Sequence, residues 1–354
     1  MIDRFATTGI GSLPHTDRRV GCELVLNHVD IPFWPQFPKN SFLEGMVAQF
    51  SEGFPFVKID AKKERIWIEH GERDALDRFY EAVGSAAGDP CALAFLLSAA
   101  LSEQYAPGFF GMRDMARESN KRFDVFKGQI TGPLTFTLGL KDETGKAIYY
   151  DEELRELALV HLVSKAAWQV KALKEFAGEL IIFIDEPILS ALGSSAYLGV
   201  SSGESAQLLE RCIKDIKTTG AITAIHCCGK TDWDMIFDLR PDVINFDAYA
   251  YFDSIAMYHE RIGEYLSSGG YLAWGMVPTT NDILAETPES IQKKFIERFR
   301  SLSGRLAPSL RTLLASRTLF TPSCGTASLA TPEAEKVFAI LKGLKAFALA
   351  NVDG

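Results

Sequence analysis

From about residue 125 onward, short apolar runs alternate with segments of helical length, and this alternation limits the fold more than any other feature of the chain. The runs are VFKGQI (125–130), LIIFI (180–184), AITAI (221–225), DVINF (242–246), YLAWG (271–275) and TLF (318–320). Helical patterns cover about 151–177, 203–218, 231–238, 254–267, 288–302 and 331–349. Parallel strands need crossover connections of helical length, so the pattern predicts six βα units on one sheet. Upstream, ATTGIG before a helix at 17–28 and IPFW before one at 42–50 supply two more. Eight such units close into a (β/α)8 TIM barrel. An open doubly wound sheet is the alternative.

Residues 54–70, FPFVKIDAKKERIWIEH, break the rhythm. Two alternating runs flank a polar AKK turn, which predicts an antiparallel hairpin. A long helical pattern at 74–101 follows, and the two form an insertion over about 54–116. No Ser/Gly/Pro-rich linker, low-complexity tract or further repeat divides the chain, so 1–354 reads as a single barrel domain with that insertion.

Charge and cysteine usage exclude several function classes. A net charge of −9 and a pI near 5.3 argue against a nucleic-acid-binding face. No apolar run reaches the roughly 18 residues needed to span a bilayer. The start, MIDRFATTGIGSLPHTD, lacks the basic and apolar blocks of a signal peptide. Six cysteines in 354 residues are too few for a disulfide scaffold. They are expected as reduced thiols of a cytoplasmic enzyme.

In a parallel barrel the loops after the strands build the active site. The polar residues fall there: GIGSLPH (9–15), FIDEP (183–187), IHCCG (225–229), INFDAY (244–249) and TPSCG (321–325). His226 and Cys228 are two apart at a strand end, so both point to one face while Cys227 points into the wall. Imidazole and thiolate are donors that Zn²⁺ accepts readily. The plainer reading is a buried histidine beside small apolar thiols. Cys324 lies on a loop that faces this strand end across the mouth, or is a thiol packed in a tight turn. Cys22, Cys91 and Cys212 fall within helical patterns and read as packing.

Asp247 either completes a tetrahedral site or caps the following turn. Asp185 and Glu186 alternate in direction, so one of them faces the mouth, and Pro187 ends the strand. A carboxylate there holds a substrate ammonium group or caps a turn. Gly9, Gly11 and Ser12 offer backbone N–H groups and a hydroxyl to a carboxylate or phosphate. Their spacing matches no nucleotide fingerprint. His15 reads as an exposed helix-entry residue, and His70 and His161 have no supporting pattern. No Gly-x-Ser-x-Gly elbow is present.

In order, GSLPH, ITGPLTF, FIDEP, HCCG, DVINFD and TPSCG resemble the catalytic domain of cobalamin-independent methionine synthase. More broadly, the set is similar to the zinc methyltransferases related to uroporphyrinogen decarboxylase, including corrinoid:coenzyme M methyltransferases. The likeness runs from Gly9 to about Phe338. It implies zinc held by His226, Cys228 and Cys324, with Asp247 standing where the family has a longer glutamate ligand. It implies that Asp185 binds the amino group of homocysteine and Ser12 its carboxylate, with Gly11 and Glu186 beside them in the substrate site.

The reaction implied is methyl transfer from a methyl-corrinoid, or from methyltetrahydrofolate, to a zinc-activated thiol. Only the thiolate attacks a methyl group well, and a metal secures that form at neutral pH. The longer family members carry an N-terminal barrel that helps bind methyltetrahydrofolate. Without it, the expected donor is methylcobalamin, presented by a corrinoid carrier protein at an apolar rim of Phe33, Trp34, Phe37, Phe109 and Phe110. The alternatives are a uroporphyrinogen decarboxylase-like lyase, which needs no zinc cysteines, and a non-catalytic corrinoid- or metal-binding protein.

Overall fold

The polar AKK turn folds back the predicted hairpin: β1 (Val57–Asp60) pairs antiparallel with β2 (Arg65–Ile68). The six apolar runs form β3 (Phe123–Thr131), β4 (Ala177–Asp185), β5 (Ile222–Cys227), β6 (Val243–Phe246), β7 (Tyr271–Val277) and β8 (Thr318–Pro322). They lie side by side in chain order, every pair parallel. This is a computed structural model, and it describes residues 2–69, 71, 74–86, 88–92, 99–197 and 199–353.

Two extended segments close the curled sheet into an α/β barrel. Segment 5–12 follows β8: Phe5 N–H donates to Thr318 O at 2.7 Å and Thr8 N–H to Phe320 O at 3.0 Å. Segment 31–36 lies beside it, with Ile31 N–H on Thr7 O and Gln36 N–H on Gly11 O. On its other side, Lys127 N–H donates to Pro32 O at 2.8 Å. The backbone pairing at this seam is reduced to isolated parallel bridges, Thr7 with Phe320, Ser12 with Gln36 and Phe33 with Lys127. Side-chain amides add to it. Gln129 Nε2 donates to Trp34 O, and Gln169 Oε1 accepts from Trp34 Nε1 at 2.8 Å. A ring that closes on itself rules out the open-sheet alternative.

Inside the ring the side chains are layered. Ala6, Val125, Ile181, Val243, Ala273 and Leu319 belong to one buried apolar cluster, separate from the larger core beneath the outer helices. Strand residues two apart share a face. The residues that follow on the inner face are therefore Thr8, Lys127, Phe183, His226, Asn245 and Thr321, and the layer above the apolar floor is mostly polar. All six are buried. This layer floors the mouth at the carboxyl ends of the strands.

The insertion differs from expectation in two places. The helix predicted over 74–101 stops at Ala86, and Gly88 follows at φ +84°, a left-handed conformation that ends a helix readily. Residues 87 and 93–98 of that span, and His70, lie outside the described residues. Pro107–Glu118, which carries Phe109 and Phe110 of the expected rim, is a helix opened by a proline in its first turn. Among the described residues no helix is long and apolar enough to cross a membrane.

Candidate metal centre and its pocket

The inward face of β5 runs Ala224, His226 and then Cys228, just past the strand end. His226 is 2% exposed. Its Nδ1 lies 2.5 Å from Asn245 Oδ1 on the neighbouring strand β6. The amide's orientation is fixed, because Asn245 Nδ2 donates to Ala273 O at 2.9 Å and to Thr321 Oγ1 at 2.8 Å. The oxygen that remains can only accept, so Nδ1 carries the proton and Nε2 presents a lone pair. That Nε2 is buried and has no hydrogen-bond partner. A second residue that orients a ligating imidazole is typically worth about 10–100-fold in metal affinity. For a metal held by this group, Asn245→Ala is therefore expected to weaken binding by that factor in a competitive chelator titration, with the cysteines untouched.

Cys324 arrives from the loop after β8. That loop hangs on segment 5–12: Thr326 N–H and Oγ1 both donate to Ser12 O, at 2.8 and 3.1 Å. A Cβ at Gly325 would sit 2.1 Å from Ser12 Oγ, so only glycine follows the cysteine at this approach. One ligand atom each from His226, Cys228 and Cys324 lies within 4.8 Å of the other two. The two thiols behave as a pair. Cys324 and then His226, both close beside it, hold Cys228 well below the usual thiol range. The Cys228 sulfur beside it, and burial, push Cys324 far above the usual thiol range. Cys227 turns away, its Sγ 3.6 Å from Gly229 O, and burial raises it to about 12. It is an inert wall residue.

These three side chains line a cavity of about 280 Å³ together with Ser12, Asp185 and Glu44. Asp185 Oδ1 is buried and has no hydrogen-bond partner. Burial pushes this carboxyl up to about 6, against the pull of Lys127 and His226. Glu44 and Asn245 were not foreseen. Glu44 accepts from Phe37 N–H at 2.8 Å, and burial raises it to about 7. Asn245 carried a usable signal: in VINFD it shares a face with Asp247, two residues on.

Several sequence expectations need correction. Glu186 faces away from the cavity. Its two oxygens accept from Leu134 N–H, Thr135 N–H and Thr135 Oγ1 at 2.6–2.8 Å, which secures the N-terminus of the helix Pro133–Gly139. A helix N-terminus presents unpaired N–H groups and favours an anion, so this is a structural carboxylate. Glu186→Ala is expected to cost about 2–3 kcal/mol of stability, the range for losing charged hydrogen bonds, in denaturant unfolding, with zinc content unchanged.

Gly11 is tightly packed: its carbonyl accepts from Gln36 N–H, and a Cβ there would meet Gln36 Oε1 at 2.6 Å. Asp247 is not one of the three grouped ligand residues, and its Oδ1 accepts from Ala250 N–H at 2.8 Å, the turn-capping alternative. Of the proposed rim, Phe33, Trp34, Phe37 and Phe109 are fully buried, and Phe110 packs against the main core. Their sequence neighbours are short extended segments and a helix, so these rings face the core and not the mouth. His15 is buried, not exposed. His161 bonds Phe50 O at 2.8 Å and sits under the helices.

No protein-family model matches the chain, and no curated protein matches it. Among solved structures, the fold is similar to that of a B12-independent methionine synthase from Shewanella sp. W3-18-1, solved in complex with selenomethionine. The TM-score is 0.59 at 15% identity, and the match covers 98% of each chain. At this identity the likeness establishes the barrel fold, which the two share from end to end.

Proposed function

We propose that this protein is a thiol methyltransferase that uses zinc held by His226, Cys228 and Cys324 to activate its acceptor. The observation that carries the reading is the convergence, on one pocket, of two thiols and an imidazole whose free nitrogen is buried, unpartnered and fixed by Asn245. One nitrogen and two sulfurs suit Zn²⁺ and leave a coordination position open to substrate. When bound there, zinc supplies the Lewis acidity that keeps an incoming thiol deprotonated at neutral pH. The fold likeness to a methionine synthase supports the reading.

The chain's own residues do the rest. Asp185 presents an unpaired carboxylate oxygen to the cationic end of an amino-acid acceptor such as homocysteine. Ser12 Oγ, on the opposite wall, suits the acceptor's carboxylate. These contacts fix the sulfur's approach to the donor's methyl carbon. A carbon–sulfur bond forms as the donor's bond to its methyl group breaks, and the thiol proton leaves to solvent.

The methyl donor is a methylated folate or corrinoid. The short length of the chain no longer favours the corrinoid, because the Shewanella protein, described as B12-independent, spans the same extent. The buried phenylalanines supply no apolar rim for one either. Methyl transfer is measured with methyltetrahydrofolate and methylcobalamin across a panel of thiols, with thioether product detected directly. Product with either donor, lost on chelation and restored by zinc, supports the proposal. Full activity in zinc-free protein would favour a lyase-like or other barrel chemistry. Binding of the true acceptor thiol is also expected to release about one proton per site at pH 7.

A further inference from the structure

Lys127 is fully buried on the inner face of β3, directly above Val125 of the apolar floor. Its Nζ donates to Ile10 O at 2.6 Å and to Gln129 Oε1 at 3.0 Å, and lies 4.5 Å from the Phe183 ring centroid. Among the described residues no carboxylate comes within ion-pair distance of it. Enclosing an ammonium away from water costs several kcal/mol, which the Asp185 carboxyl, beyond ion-pair distance, offsets only in part, where a methionine would fill the space freely. The cost is offset by something an apolar residue cannot do: donate a charge-assisted hydrogen bond to a backbone carbonyl that no strand ladder satisfies.

We infer that Lys127 is a positioning residue that fastens the barrel seam and thereby sets where Ser12 and Cys324 stand at the mouth. It touches both closing segments: its N–H donates to Pro32 O and its Nζ to Ile10 O. Those segments pair with their neighbours through isolated bridges, a few backbone bonds and the amides of Gln129 and Gln169, whereas β3 to β8 share continuous ladders. Ile10 lies two residues before Ser12 on the same face of an extended segment. Ser12 O receives both bonds from Thr326, and Gly325 rests against Ser12 Oγ. Cys324 is the next residue back along that loop. A slack seam at Ile10 therefore moves Cys324 relative to Cys228, which stands on the rigid ladder. The inference leans on the proposed function only in taking Cys324 as part of the site.

The test reads the spacing of the two sulfurs directly. The full chain, as isolated and after chelation, is treated with dibromobimane, a bifunctional reagent that fluoresces once both arms have alkylated thiols. The Cys228–Cys324 adduct is located by peptide mapping. Lys127→Met is expected to form this adduct about tenfold more slowly after chelation, an increase of ~1.4 kcal/mol in barrier, with an unchanged far-ultraviolet spectrum. Val125→Ala, which opens the apolar floor one layer lower and leaves the hydrogen bond from Lys127 Nζ to Ile10 O in place, is expected to react at the wild-type rate. Equal rates for wild type and Lys127→Met overturn the inference, as does equal slowing in Val125→Ala. Should Lys127→Met not fold, Lys127→Gln, a shorter uncharged donor, is judged by the same criterion. Failure of the wild type to bind zinc would overturn the proposed function and leave this comparison intact, because the chelated arm needs no metal.

Discussion

On the proposed ligand set, Cys324→Ser is expected to strip the protein of most of its zinc. A neutral alcohol replaces a thiolate, and zinc is left with one sulfur and one nitrogen from the chain. The loss should exceed ~100-fold in affinity, the upper end for removing a residue that only orients a ligand. Serine is close to cysteine in size, and Gly325 and Thr326 keep the loop against Ser12, so the fold should survive. Cys22→Ser and Cys91→Ser serve as controls. Cys22 is buried with its Sγ toward Gly108 O, and Cys91 lies outside the pocket, so neither change should move the metal. Metal content by elemental analysis and affinity by chelator competition check both statements. Retention of one zinc at wild-type affinity in Cys324→Ser would remove this cysteine from the proposed ligand set.

The barrel was legible because its strands carry their own signal. LIIFI and YLAWG are continuous apolar runs, as strands covered on both faces must be, and VFKGQI is broken only by Lys127 and Gln129. Their boundaries moved by only a few residues in the structure. The closing segments 5–12 and 31–36 were readable as extended, but their pairing was not, because it depends on Lys127, Gln129 and Gln169, far along the chain. Period two placed His226 and Cys228 on one face and limited the mouth to one of Asp185 and Glu186. It did not say which, since Glu186 is drawn away by the N–H groups of residues 134 and 135, whose helix start only the fold brings near. A lysine inside an apolar strand was a visible anomaly at 127. The aromatic residues misled for a related reason: Phe109 sits in a short helix whose apolar face meets Trp34 and Trp168, and composition cannot separate such a ring from one at a rim.

Asp185→Asn is expected to weaken binding of an ammonium-bearing thiol by roughly 1.5–3 kcal/mol, the range for a hydrogen bond to a charged group. That is about 10–150-fold in Kd. The amide keeps the side chain's size, so the cavity beside Pro187 should not collapse and the zinc content should not change. A thiol of similar size without an amino group should bind wild type and variant alike, which separates a lost ion pair from general damage. Burial raises Asp185 and a bound zinc draws it back down, and the ammonium is attracted only by the ionised form, so wild-type affinity should fall as the pH drops through this carboxyl's titration. The variant has no such group at that position and should lose this limb of the profile. Isothermal titration of zinc-loaded protein with both thiols, at several pH values, reads all of these effects. Loss of metal from Asp185→Asn would make this carboxylate a support of the metal centre. Equal weakening toward both thiols would show that its charge does not select the acceptor.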